Sequence, residues 1–152
     1  MWFIVRHGET LQNVKRIIQG HSPSMLTLCG IDQIKSIGYR IKDMKEDFKN
    51  YKLIVSPMIR TKHSMQILQE ILGLTNMQYI EEEMLSEIDT GATTNMFEKE
   101  AKIKYPEVWN IDNYLDRKYP NGESNEDVYN RVVKFCNKYK NEKNLIIVSH
   151  SG

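Results

Sequence analysis

Several features that would assign this chain quickly are scarce or missing. Its 152 residues hold two cysteines, Cys29 and Cys136, far apart and without CxxC or zinc-finger spacing; they read as reduced core thiols rather than a disulfide frame or a metal knot. No apolar stretch approaches membrane-spanning length, and the N-terminal apolar run is too short for a signal-peptide core. The default expectation is a cytoplasmic protein with no membrane partner. Neither sign of charge dominates: 21 Lys and Arg stand against 20 Asp and Glu, a formal net of +1. With no basic run, a nucleic-acid partner is not expected. Repeats, low-complexity segments and linkers are also lacking, and the length suits one core, so one domain is expected over residues 1–152.

What is present is an alternation of strands and helices. Trp2 to Val5 is continuously apolar, the pattern of a strand covered on both faces; Arg6 and His7 end it and Gly8 breaks it. Residues 7 to 26 read as a polar loop. From Leu28, Ile31, Ile34, Gly38, Ile41 and Phe48 recur at helical spacing. Leu53 to Val55 is a second strand; Ser56 and Pro57 then read as a helix start, Ser capping and Pro at the first turn. That helix runs to about Gly73 with Met65, Leu68 and Leu72 inward. The stretch "MQYI" is a third strand. Asn95 with Glu98 predicts a cap for a short helix ending before Pro106, and Ser124 with Asp127 caps a longer one whose Val128, Val132, Phe135, Cys136 and Tyr139 share a side. Leu145 to Val148 is the last strand, with His150 at its end.

Strands alternating with helices predict an α/β fold: three layers, α/β/α, around a mainly parallel sheet with helices on both faces. Ligands of such sheets bind beyond the carboxyl ends of the strands. The chemistry-bearing residues are there: Arg6 and His7 after the first strand, Arg60 one helical turn past the second, Glu87 and Asp89 after the third, His150 after the last. Two arginines and two histidines make a pocket for a compact anion, because forked guanidinium donors match phosphate oxygens. A carboxylate beside them fits a proton donor to a leaving alkoxide, and a neutral imidazole can attack phosphorus to give a phosphohistidine. Positioning and charge neutralisation carry most of such a transfer.

The same residues carry a family resemblance. "RHGETLQN" resembles the RHGxTxxN signature of the histidine phosphatase superfamily, also called phosphoglycerate mutase-like. "IQGHSPSMLTLCG", "SPMIRTKHS", "LSEIDTG", "YPNGESNEDVYNRV" and "IIVSHSG" resemble further blocks of that family in the family's order, across essentially the whole chain. The resemblance implies a phosphoglycerate mutase-like fold and a phosphatase. His7 would be the nucleophile, Arg6 and Arg60 the phosphate-binding arginines, His150 the second histidine at the phosphoryl group, and Glu87 the general acid. Asn13 would lie near the phosphate, Gln19 and Gly20 at the pocket mouth and Ser151 just after the second histidine would also bind substrate or phosphate, and Glu123 with Ser124 would fall in the GES segment.

Departures are instructive too. The chain reads "LTLCG" where many members have LTELG, and His63 stands where Gln is common. Family members continue past the second histidine into a helix and further structure, so the resemblance implies that the C-terminal helix region is missing here, with an uncovered patch beside a strand and a tendency to self-associate. The function expected is metal-independent hydrolysis of a small phosphorylated metabolite through phosphohistidine, with no cofactor beyond the covalent phosphoryl group. The alternatives are a cofactor-dependent phosphoglycerate mutase, for which the segment from Gly91 to Pro120 is short, and a truncated non-catalytic phosphate-binding module. A metal centre of His7, His150, Glu87 and Asp89 lacks any HxxxH-type spacing. His21 and His63 read as surface histidines; Tyr105, Trp109 and Tyr114 read as core aromatics before pocket walls.

Overall fold

A computed structural model describes residues 1–151; Gly152, where the expected domain ends, lies outside them. The apolar runs form four strands, β1 (Trp2–Arg6), β2 (Lys52–Val55), β3 (Tyr79–Glu81) and β4 (Leu145–Ser149). All pair in parallel in the order β1-β4-β2-β3. Five helices connect them: α1 (Leu11–Lys15), α2 (Leu28–Lys42), α3 (Ile59–Leu72), α4 (Glu98–Lys104) and α5 (Asn125–Tyr139).

Alternation along the strands divides the core into two layers. Val5, Leu53, Val55, Ile146 and Val148 point to one face, where Ile34 and Ile41 of α2 and Met65, Ile67 and Leu68 of α3 cover them. Ile54, Leu145 and Ile147 point to the other, against Phe135 and Tyr139 of α5 and Leu85. Each such aliphatic side chain taken out of water contributes about 1.5–3 kcal/mol, so the central strands β2 and β4 are rigid mounts. The expected three-layer α/β/α fold is what forms.

Several local expectations need correction; one is Tyr114, read as a core aromatic and 60% exposed. β1 is not covered on both faces: it is an edge strand, Val5 is its buried apolar residue, and Ile4 is 71% exposed because α5 stops short of it. The uncovered patch therefore lies beside β1, while Leu145, Ile146, Ile147 and Val148 of β4 are buried. Val132 and Cys136 on the edge of α5 border the same apolar groove. Cys29 and Cys136 are exposed free thiols rather than core residues. α3 starts at Ile59 with no side-chain cap, so Ser56 is not its N-cap. Asn95 does not cap α4, which begins at Glu98 after Phe97; Asn95 sits in the left-handed region, φ 66°, and its Oδ1 accepts from Gln12 Nε2. Within the expected loop 7–26, Thr10 and Asn13 close a capping box that starts α1. The box expected at Ser124 and Asp127 is present.

Candidate active site

Register brings the two histidines together. Arg6 pairs with Ser149 across β1 and β4, and His7 N–H donates to the Ser149 carbonyl at 3.0 Å. The next residues on each strand therefore leave the sheet side by side, with ring centroids 5.2 Å apart. The turn after His7 is pressed against the start of α2: a Cβ on Gly8 would stand 2.3 Å from the Gly30 carbonyl oxygen. Gly8 N–H donates to Ser64 Oγ, and that hydroxyl donates to the Arg60 carbonyl, which ties the nucleophile loop to the first turns of α3.

His7 is 6% exposed. Its Nδ1 lies 2.7 Å from the Gly8 carbonyl oxygen; a carbonyl can only accept, so Nδ1 carries the proton and Nε2 holds the lone pair. Burial first, then Arg60 and Arg6, lower its pKa to about 4, against the bond to Gly8. The ring is neutral at physiological pH.

Arg60 is 1% exposed and reaches across to the loop after α1, donating from Nη2 to Gly20 O at 2.9 Å and from Nη1 to Ser22 O at 3.2 Å. Burial pulls the guanidinium below its ordinary value while Glu87 acts in the opposite direction; arginine stays charged throughout. His150 Nε2 is 2.8 Å from Ser56 Oγ, and its Nδ1 is 3.6 Å from Glu87 Oε2. Burial, followed by Arg60 and His7, drives the His150 pKa to about 2. Arg60 Nε and His150 Nδ1 are buried with no hydrogen-bond partner among the described residues, Glu87 Oε2 standing just beyond reach of the latter. Such orphaned polar atoms are costly in a folded chain, and a phosphoryl oxygen is the kind of acceptor they suit.

Glu87 lies in the irregular run after β3, its place fixed through its main chain. The Glu87 carbonyl accepts from His21 Nε2 at 2.7 Å and from Arg131 Nη2 at 3.2 Å. Arg131 also donates to Met84 O and to both oxygens of Glu123. Glu123 Oε2 in turn accepts the Asp89 N–H at 2.9 Å. The carboxylate of Glu87 is thus presented beside His150 by a clamp of His21, Arg131 and Glu123.

The remaining expected site residues divide by what they touch. Arg6 is exposed, and with His7 and Asn13 it lines a cavity of about 410 Å³. Asn13 uses Oδ1 in the capping box with Thr10, which leaves its amide N–H groups for that cavity. Gln19 accepts from the Thr10 hydroxyl. Gly20, φ 49°, has no room for a Cβ against Thr90 and offers its carbonyl to Arg60, so its contact is with the arginine. Ser151 is exposed beyond β4, and Ser124 caps α5. His63 is half-buried on α3. Asp89 accepts from the Gly91 N–H. Among the described residues no three His, Cys, Asp or Glu side chains gather as a metal cluster, and no helix is long and apolar enough to cross a membrane.

Three residues of the site escape the sequence reading. His21 reads there as a surface residue, and it is exposed, but its bond to the Glu87 carbonyl is not foreseen; Ser56 reads as a helix cap, and Arg131 stands in the "YPNGESNEDVYNRV" block with no role assigned. For Arg131 that block is the signal, since it carries Glu123 and Arg131 together. His21 and Ser56 have none short of the tertiary fold.

The geometry can be set beside known proteins. The family model "Histidine phosphatase superfamily (branch 1)" matches residues 2–152. The chain is 30% identical to the "uncharacterized phosphatase PhoE" of Bacillus subtilis (strain 168) over 98% of its length and 70% of that protein's. It is 29% identical to a 2,3-bisphosphoglycerate-dependent phosphoglycerate mutase of Afipia carboxidovorans over 87% of its length, and spans 64% of that mutase, less than two thirds. The alpha-ribazole phosphatase of Shigella flexneri superposes with a TM-score of 0.81 at 23% identity, over 98% of this chain and 73% of that one, which is a likeness of fold.

Proposed function

The chain belongs to the histidine phosphatase superfamily, and on that premise we propose that it is a metal-independent phosphomonoester hydrolase that works through a phosphohistidine at His7 on a small phosphorylated metabolite. The observation that carries this is the state of His7: neutral, with its proton held on Nδ1 by Gly8 and Nε2 left to attack. In the first step Nε2 forms the P–N bond while the ester P–O bond breaks, and Glu87 in its acid form gives its proton to the leaving oxygen. In the second, Glu87 takes a proton from water, the water oxygen attacks phosphorus, and the P–N bond breaks to return neutral His7. Arg6 and Arg60 neutralise the phosphoryl oxygens, and Asn13 adds an amide donor. We assign His150 the tautomer protonated on Nδ1, in which Ser56 Oγ donates to Nε2 across their 2.8 Å pair and the Nδ1 proton is offered to a phosphoryl oxygen. Two guanidinium groups supply the positive charge that a metal would otherwise bring, and the neutral His150 imidazole adds a hydrogen-bond donor.

Release of inorganic phosphate from p-nitrophenyl phosphate with a chelator present, compared between the wild-type chain and His7→Ala, tests this reading. Release that depends on His7 is the expected result. No release from the folded wild type, or release untouched by the substitution, overturns it. The likeness to a mutase favours a second reading, transfer of the phosphoryl group back to the substrate; interconversion of 3- and 2-phosphoglycerate faster than phosphate release would establish it.

A further inference from the structure

The cavity beside Arg6 and His7 shares Asn13 with a second one of about 400 Å³. The walls of the second are Ile17, Ile18, Trp109 and Tyr119, all partly buried, with Arg16 and Glu98 at its edge. Tyr119 ties it by backbone to the segment that braces the general acid: Tyr119 N–H donates to Glu123 O, and Glu123 N–H to Asp89 O. Burial raises the Tyr119 phenol above its ordinary value, so the cavity carries a neutral hydroxyl. Trp109 and Tyr119 meet edge to face, 6.2 Å between centroids and 89° between planes, and form a two-sided aromatic corner.

This cavity is also well braced. Ile18 N–H donates to Met96 O, Asn95 N–H to Ile18 O and Glu98 N–H to Arg16 O, which fastens the loop after α1 to the start of α4. Arg16 has φ 53°, a left-handed conformation that costs a residue with a Cβ. Two carbonyls, Gln12 O and Asn13 O, hold its N–H. Its side chain makes no hydrogen bond or ion pair among the described residues, whereas Glu98 is engaged by Lys102. The result is a braced slot with an aromatic corner set in a largely polar lining, one phenol donor and one free guanidinium.

We propose that this cavity receives the leaving group, and that the preferred substrates are phosphomonoesters of a ring-bearing alcohol. The ring stacks in the Trp109–Tyr119 corner, and its polar substituents meet Arg16 and the Tyr119 hydroxyl. A short acyclic alcohol leaves those walls wet and gains nothing from them. The inference rests on the phosphatase reading and narrows its substrate class; the ring is defined by its flat face, whether aromatic or a sugar.

Benzyl phosphate, glucose 6-phosphate and glycerol phosphate, all with alkyl leaving oxygens, separate the cases by kcat and KM. At least one ring substrate is expected to have a KM lower than glycerol phosphate by roughly ten-fold, and the ring that wins identifies aromatic or sugar. Trp109→Ala should erase that difference through KM with kcat retained. Equal KM values in the wild type, or a Trp109→Ala loss spread evenly over all three, overturn the inference. A binding arm needs no turnover. Two tryptophans are present, Trp2 and Trp109, so Trp2→Phe in a His7→Ala background leaves Trp109 as the sole tryptophan, read by excitation that tyrosine does not absorb. Quenching by a ring phosphate and not by glycerol phosphate is expected; the same response to both overturns the proposal. Loss of all His7-dependent phosphate release together with selective quenching would instead remove the phosphatase reading and keep the ring site.

Discussion

The nucleophile side and the acid side of this site are held in opposite ways. His7 and His150 leave paired ends of β1 and β4, and Arg60 sits in the first turn of α3; their positions follow from sheet register and a buried core. Glu87 has no regular element under it. Its main chain is fixed by His21 and Arg131, and the run beyond it by Glu123. A strand mount spreads its support over many backbone bonds and apolar contacts, whereas a side-chain clamp concentrates it in a few groups. The first should keep its geometry when one side chain is changed, and the second should not.

The sharpest division of the two sides is Glu87→Gln. An amide cannot protonate a leaving alkoxide, so kcat on an alkyl phosphomonoester should fall on the order of 10²–10⁴-fold. On p-nitrophenyl phosphate, whose leaving group needs little protonation, the loss should be about ten-fold or less. Equal losses on the two substrates would mean that Glu87 holds the site together rather than donating a proton. Arg131→Met comes next. It frees Glu123, Met84 O and Glu87 O at once, and a displaced acid costs up to roughly 10²-fold. Because it acts through Glu87, it should copy the leaving-group dependence of Glu87→Gln; a uniform loss on alkyl and aryl substrates would break the comparison. His21→Ala removes one of two donors to the Glu87 carbonyl and should cost about ten-fold, again mainly on alkyl substrates. His21→Gln, which keeps a side-chain N–H, should recover part of the loss.

This contrast also explains how much of the site is legible in the sequence. Strand-end residues are legible because a buried strand announces itself in three or four apolar letters, and the residues just beyond its last letter stand at the site by construction; Arg6, His7 and His150 need no more than that. Arg60 comes from the same logic one turn along a helix. Glu87 is recognisable through its "LSEIDTG" block, since an acidic run alone says only that a face is solvated. The clamp is hidden because a bond from His21 to a main-chain carbonyl 66 residues away has no local signature. Ser56 misleads for a related reason. Ser before Pro is a good cap on propensity, but tertiary packing places its hydroxyl on His150. Ile4 and Cys136 mislead because an apolar letter reports what a face could bury and not whether a neighbour reaches it.

The smallest expected effect belongs to the strand-mounted side and is read in stability rather than rate. His7 has its pKa lowered from 6.5 to about 4 and His150 to about 2. Above pH 6.5 both rings are neutral folded or unfolded, and their contribution is complete. Between 6.5 and 4 the unfolded chain takes up protons that the folded site refuses, so stability falls as the pH is lowered through that window. For His150 the decline continues toward pH 2. Urea unfolding at pH 8, 6 and 5 should therefore show a falling midpoint. In His7→Asn, which retains a polar side chain of similar reach but cannot titrate, the fall should be shallower by up to one proton's worth of slope. Identical pH dependence in the two chains would mean that water reaches His7 freely in the folded state. The nucleophile would then be protonated over part of the physiological range, and the strand mount would position it without keeping it neutral.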